Sequence, residues 1–228
     1  MKYGQIAGNK SINAMIYRCF EYIPEEDARK FLKKFSDQLS DEVQVMHTFR
    51  ELILGAYLVC NDLNVRYEYA LGTKTPDWCV MDGSSSFKAI VELTNFHLDK
   101  TTEDNIKERV QPGGMWMGWQ KPNDDRLYNQ IWQKAASYKT LVEQYDISYI
   151  IAVFGEFTAA VNSDELDQCL FDKEYGLFGL YPIISGVLFF DEQFGRYSFT
   201  YKPNPNLLKT IDIPSGEFYL GAGIPLLI

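Results

Sequence analysis

The sequence predicts an α/β protein with a mixed central sheet flanked by helices, and three features carry that prediction. An apolar stripe at helical spacing runs through residues 42–62. Short strand-like runs bounded by turn residues follow from 64 to 95. A second helical stretch then leads into the continuous apolar run SYIIAVFG. Helix followed by uninterrupted apolar strand implies a crossover to a buried parallel strand.

Residues 24–62 read as two helices, PEEDARKFLKKFSDQL and DEVQVMHTFRELILGAYLVCNDL, broken near Ser40 and Asp41, either of which suits the N-cap of the second. Within the second, Val45, Met46, Phe49, Leu52, Ile53, Ala56, Tyr57 and Cys60 form a wide apolar face that is expected to pack on a sheet. NVRYEYAL, DWCVMD and FKAIVELTN then read as strands, separated by residues 72–76 and by 82–86, the latter having the composition of a hairpin turn. Residues 96–123 lack periodicity and carry GGMWMGW, which predicts a long surface loop. A helix over 124–145 precedes SYIIAVFG. The last third adds a helix near SDELDQCLFD, the strand-like runs ISGVLFF and RYSFTY joined across 191–195, and an irregular, proline-punctuated end. With no repeats and no shift in composition, the expectation is a single domain over 1–228, its core in 42–155 and its C-terminal helix and additional strands in 156–228.

Composition narrows the chemistry. At 228 residues, 46% hydrophobic and 23% charged, the chain is ordinary for a globular protein. MKYGQIAGNK lacks an apolar h-region, and no run approaches the roughly 18 apolar residues of a membrane helix, so a soluble, cytoplasmic protein is expected. Four cysteines are scattered without a CxxC pair, and the apolar settings of Cys60 and Cys79 suit buried thiols. His47 and His97 stand fifty residues apart and offer no zinc motif. Chemistry therefore falls to carboxylates. The net charge of −9 and pI near 4.8 argue against a large nucleic-acid-binding surface. They leave local charge open, and a carboxylate cluster is itself acidic until its cation arrives.

Two carboxylates stand out. Asp77 follows Pro76 at the start of a strand, and Glu92 lies inside Ala-Ile-Val-Glu-Leu-Thr, where an unpaired charge costs several kcal/mol or raises the group's pKa. In a hairpin turning near Gly83 the two lie at similar distances from the bend, as cross-strand neighbours on one face. Converging carboxylates of this kind would bind Mg²⁺.

Pro76-Asp77, a hairpin-sized gap and Glu92-Leu93-Thr94, preceded by a helical Glu51 and followed by a helix–strand unit, resemble the PD-(D/E)XK nuclease superfamily across residues 42–155. The resemblance implies a restriction-endonuclease-like fold and a Mg²⁺ site, with Mn²⁺ as a substitute, built from Glu51, Asp77 and Glu92. It further implies phosphodiester hydrolysis with DNA as the expected substrate. The sequence departs from the family pattern where the E-x-K lysine is replaced by Thr94. Some members supply that lysine from the following helix, and Lys134, on one helix face with Gln130 and Tyr138, is the first candidate to position water beside Asp77 and Glu92; Lys88, on the same strand face as Glu92, is the rival.

Each residue also has a plainer reading. Glu51 could pair with Arg50 or another neighbour at the helix surface, Asp77 could be a turn residue, Lys134 a solvated helical lysine, and Thr94 a β-branched strand residue or a hydrogen-bond donor near the metal. Trp116 and Trp119 suit stacking on bases, a lid over a small ligand, or pinning a loop to the body. Lys100, Lys107, Arg109, Lys121 and Arg126 could form a local positive rim or be solvated. Two functions therefore compete: a Mg²⁺-dependent nuclease, and a catalytically inactive nuclease-like fold whose acidic surface serves as an interaction module for a basic protein partner.

Overall fold

The computed structural model describes residues 6–83, 86–96, 124–155, 161, 163–209 and 211–221. Helices α1 (Lys10–Cys19), α2 (Glu25–Asp37) and α3 (Glu42–Cys60) come first. Strands β1 (Asn64–Tyr67), β2 (Trp78–Met81) and β3 (Phe87–Phe96) follow, then α4 (Asp124–Tyr145) and β4 (Ser148–Gly155). The chain continues through α5 (Ser163–Phe171), the short α6 (Leu177–Leu180), β5 (Gly186–Gln193), β6 (Arg196–Pro203) and β7 (Gly216–Tyr219). No helix among the described residues is long and apolar enough to cross a membrane.

The strands form one seven-stranded mixed sheet in sequence order, β1 to β7. The pairs β1–β2 and β2–β3 are antiparallel, β3–β4 and β4–β5 parallel, and β5–β6 and β6–β7 antiparallel. SYIIAVFG is the central parallel strand β4, buried at all eight positions. Its alternate side chains divide between two cores: Ile150, Ala152 and Phe154 join α1, α2 and α3 on one face, while Tyr149, Ile151 and Val153 join α4, α5 and α6 on the other. A strand covered on both faces has no use for polar alternation, which is why its sequence reads as an unbroken apolar run.

Local chemistry sets the element ends. The Asp41 carboxylate accepts from the Gln44 N–H at 3.1 Å and caps α3. The run expected to be strand as far as Leu71 stops at Tyr67, because Glu68 turns to φ 43° and donates its N–H to the Asp77 carbonyl at 3.0 Å. The β5–β6 turn is shorter than the linker expected at 191–195, with Phe194 and Gly195 at φ 54° and 77° and residues 191–193 inside β5. Three described elements went unread in the sequence: α1, capped by the Asn9 side chain on Ser11 and Ile12, the one-turn α6, and β7 within the proline-punctuated end. Cys79 is buried as expected, whereas Cys60, the last residue of α3, is exposed.

The first core is knitted by aromatic contacts. Phe31 of α2 stacks on Tyr67 with centroids 3.9 Å apart, and Trp78, fully buried, lies 5.9 Å from Phe31. The Trp78 indole N–H donates to the Glu51 carbonyl at 2.9 Å. Its ring occupies the space beside Gly55, where an added Cβ would stand 1.8 Å from Cζ2. Close approach of α3 to β2 thus requires glycine at 55. Gly55→Ala is expected to lower stability by about 1–3 kcal/mol through overpacking, read as a melting temperature reduced by about 2–4 °C per kcal/mol.

Candidate functional site

The antiparallel register pairs Trp78 with Val91, so the residue before Trp78 lies opposite the residue after Val91. Asp77 and Glu92 are those residues. The Asp77 N–H donates to Glu92 Oε1 at 2.9 Å, and Asp77 Oδ2 accepts from the Leu93 N–H at 2.7 Å. Each carboxylate thus takes a backbone donor from the other's strand, which holds both in place. Glu92 is 3% exposed.

The crossover helix supplies the cation. Lys134 Nζ donates to Glu92 Oε2 at 3.0 Å, and the lysine side chain keeps 31% of its surface exposed, so the pair reaches solvent. Tyr149 fixes this point of α4 by donating its hydroxyl to the Lys134 carbonyl at 2.8 Å. Two helical turns before Lys134, the Arg126 guanidinium lies 4.8 Å from the Phe96 ring centroid, so α4 runs antiparallel to β3 with Gln130 between the two contacts. Gln130 Oε1 is buried and accepts no hydrogen bond. Tyr138, one turn on, lies near enough to Glu92 that the carboxylate, after burial, raises its phenol pKa above the ordinary value. Lys88 stands exposed at the opposite end of β3, beside Lys209 and Asp212 around a separate cleft.

Charge at this point is unbalanced. Burial raises the Asp77 carboxyl, the neighbouring Glu92 and Glu51 carboxylates raise it further, and Lys134 only partly compensates, leaving its pKa at about 7. Burial acts to lower the Lys134 ammonium, but the carboxylates of Glu92, Asp77 and Glu51 outweigh it and hold its pKa above the ordinary value.

Glu51 is not the solvated helix-surface residue of the plainer reading. It is 2% exposed and sits in its own network: Lys34 Nζ at 2.9 Å from Oε2, the Tyr67 hydroxyl on the same oxygen, and His47 Nε2 at 3.1 Å from Oε1. Lys34 also reaches the Tyr67 hydroxyl at 2.6 Å and Glu68 at 3.0 Å. His47 in turn hydrogen-bonds Asn95, three residues beyond Glu92. Burial opposes ionisation of Glu51, but His47, Lys34 and Tyr67 overcome it and hold its pKa at about 2.

Asp77, Glu92 and Lys134 are therefore brought together, while Glu51 lies close enough to influence their charge, with each of its oxygens already engaged. His47 is one helical turn before Glu51, a spacing visible in the sequence. Lys34 and Tyr67 are distant in the chain and carry no local signal. Trp116, Trp119, Lys100, Lys107, Arg109, Lys121 and His97 fall outside the described residues.

Among the described residues no group of three or more His, Cys, Asp and Glu side chains is arranged to hold a metal ion. Mg²⁺, however, keeps several waters and takes one or two protein carboxylates. Asp77 and Glu92 offer hard oxygen donors carrying more negative charge than Lys134 offsets, with the unpartnered Gln130 oxygen one turn from Lys134; because both Glu92 oxygens and Asp77 Oδ2 already accept hydrogen bonds, an ion there would share these oxygens with their donors or displace Lys134. No family model, curated protein or solved structure matches the chain.

These shifts have opposite consequences for stability. For Asp77, raised from 3.8 to about 7, the folded protein between those pH values holds a proton that the unfolded chain has released, so stability falls as pH rises and levels off above the upper value. Without added metal, Asp77→Asn is expected to melt above the wild type at pH 8, with the gap closing toward pH 4; thermal melts across that range check it. Glu51, lowered from 4.5 to about 2, stabilises the fold above its unfolded pKa and loses that contribution progressively as pH falls from there through about 2. Because it breaks a buried ion pair, Glu51→Gln should cost about 3 kcal/mol at pH 7 in chemical denaturation.

Proposed function

We propose that the chain is a Mg²⁺-dependent phosphodiester hydrolase, a DNA nuclease built on a restriction-endonuclease-like fold, with Asp77, Glu92 and Lys134 at its centre. The observation that carries this reading is the 3.0 Å contact between Lys134 and Glu92, with Asp77 bonded to Glu92 across the hairpin. It supports a lysine donated by the crossover helix in place of the residue where Thr94 stands.

Asp77 and Glu92 would hold the ion. When bound, Mg²⁺ or Mn²⁺ supplies Lewis acidity and lowers the pKa of water. Lys134, its pKa held above the ordinary value by three carboxylates, is cationic at neutral pH. It therefore serves as a donor that orients water and offsets charge developing on the phosphoryl oxygens, and not as a base. Glu51 enters as the anchor of Lys34 and His47 at the site's edge, its negative charge adding to the field that favours a cation at Asp77.

Calorimetric titration of Mg²⁺ and Mn²⁺, paired with cleavage of plasmid and single-stranded DNA, tests the proposal. Glu92→Ala is expected to lose metal binding and cleavage together. Lys134→Ala should retain metal while cleavage falls about 100-fold or more. A folded wild type that binds neither ion and cuts neither DNA would refute the hydrolase. Metal binding without cleavage would favour the interaction module, to which the net charge of −9 lends itself.

A further inference from the structure

At the amino ends of β3 and β4, away from the buried carboxylates, the surface opens into a cleft of about 810 Å³. Its floor is apolar and drawn from both cores. Val80 with Leu63 and Ile211 belongs to the core under α3, and Met81 with Phe87 to the core under α4. On the rim, Leu208 is fully exposed. A fully exposed leucine beside an apolar concavity is the composition of a surface that another chain covers.

The charges around the floor identify the chain it suits. Asp62, Asp82, Asp146 and Asp212 line the cleft against Lys88 and Lys209, so the carboxylates outnumber the ammonium groups. Lys209 pairs with Asp146, and Asp82 accepts from the Ser86 amide and hydroxyl. Asp62 and Asp212 are exposed and form no ion pair among the described residues.

Two helix ends add to this field. Helices α3 and α4 lie on opposite faces of the sheet, and both finish at the cleft with an aspartate: Asp62 just beyond Asn61, the C-cap of α3, and Asp146 directly after Tyr145, the last residue of α4. Each adopts left-handed backbone, at φ 61° and 50°, where Gly or Asn is the usual occupant, and each sets a carboxylate against the negative end of its helix. Asparagine would be the more stable choice at either position. The chain's own Lys209 shows what answers such a place, bringing its ammonium group to Asp146 while its carbonyl accepts from the Ser148 hydroxyl at 3.2 Å. With the helix ends on opposite faces of the sheet, a segment that meets both must carry its basic residues apart, with the apolar floor between them.

We infer that this cleft is a docking site for a basic segment of a partner protein, in which lysine or arginine residues flank an apolar side chain that enters the floor. The site is separate from Asp77, Glu92 and Lys134 and does not depend on whether they hold Mg²⁺.

Fluorescence anisotropy with a labelled Lys-Arg-Leu-Leu-Arg-Lys peptide, at low and at physiological salt, tests the docking site. Asp62→Asn combined with Asp212→Asn is expected to weaken binding about tenfold and to flatten its dependence on salt. Asp164→Asn combined with Glu174→Gln, which removes the same charge from exposed positions in and after α5, should bind like the wild type. Leu208→Ser should weaken binding about fivefold with the salt dependence unchanged, and a peptide with serine in place of leucine should lose affinity in similar proportion. Asp62→Asn alone is expected to raise the melting midpoint while lowering affinity, whereas an aspartate that served the fold would lower the midpoint when replaced. The docking site is overturned if the two double variants lose affinity equally, if neither Leu208→Ser nor the serine peptide weakens binding, or if the wild type does not bind the peptide. Spermidine binding as tightly as the peptide would make the cleft a polyamine site and overturn the partner segment.

Discussion

A carboxylate buried in the middle of a sheet is tolerated only if its surroundings neutralise it, and Glu92 organises much of the molecule around that requirement. It draws an N–H from the strand on one side and an ammonium from the crossover helix above it. The first contact sets the position of Asp77 at the corner where β1 gives way to β2. The second sets the height of α4 on the sheet, which Tyr149 reinforces through the carbonyl of Lys134. Without Glu92, corner and helix would each lose one of the polar contacts that seat them, keeping the Asp77–Leu93 and Tyr149–Lys134 bonds.

The other buried glutamate is handled in the same manner by a different helix. Glu51 has Lys34 from α2, Tyr67 from β1 and His47 from its own helix. Two lysines from two helices thus answer two glutamates, and Asp77 is left over. Burial is the main cause of its raised pKa, and the two neighbouring glutamates add to it. The excess stands at a solvent-reaching point, since Lys134 is partly exposed, and that combination separates it from Asp27, which is buried beside Lys30 and Arg66.

Much of this was legible in the residues. Glu92 announced itself because a carboxylate between Ala-Ile-Val and Leu-Thr has no cheap explanation, and the hairpin spacing around Gly83 put Asp77 opposite it. Lys134 was named because the resemblance implies a lysine on the following helix, where it shares a face with Gln130 and Tyr138. What escaped was non-local. Lys34 lies on a helix with several lysines, none marked in sequence, and only the packing of α2 against β1 brings it to Glu51. Phe31 stacking on Tyr67 is what fixes that packing. The end of β1 at Tyr67 escaped for a similar reason: NVRYEYAL has strand chemistry throughout, and the reversal at Glu68 exists because its N–H is claimed by the Asp77 carbonyl.

By itself the sequence determined the α/β class, the helix–strand crossover and the two carboxylates of the hairpin, because each follows from periodicity or from the cost of burial, and both act over a few residues. Tertiary structure alone decided which cation meets which carboxylate, that Glu51 is enclosed by α2 and β1, and that Arg50 and Arg126 lie over the rings of Phe154 and Phe96 on opposite faces of the sheet. Those pairings depend on how helices are seated on a sheet, and the seating is set by ring stacking and by the absence of a side chain at Gly55, contacts between residues that are far apart in the chain.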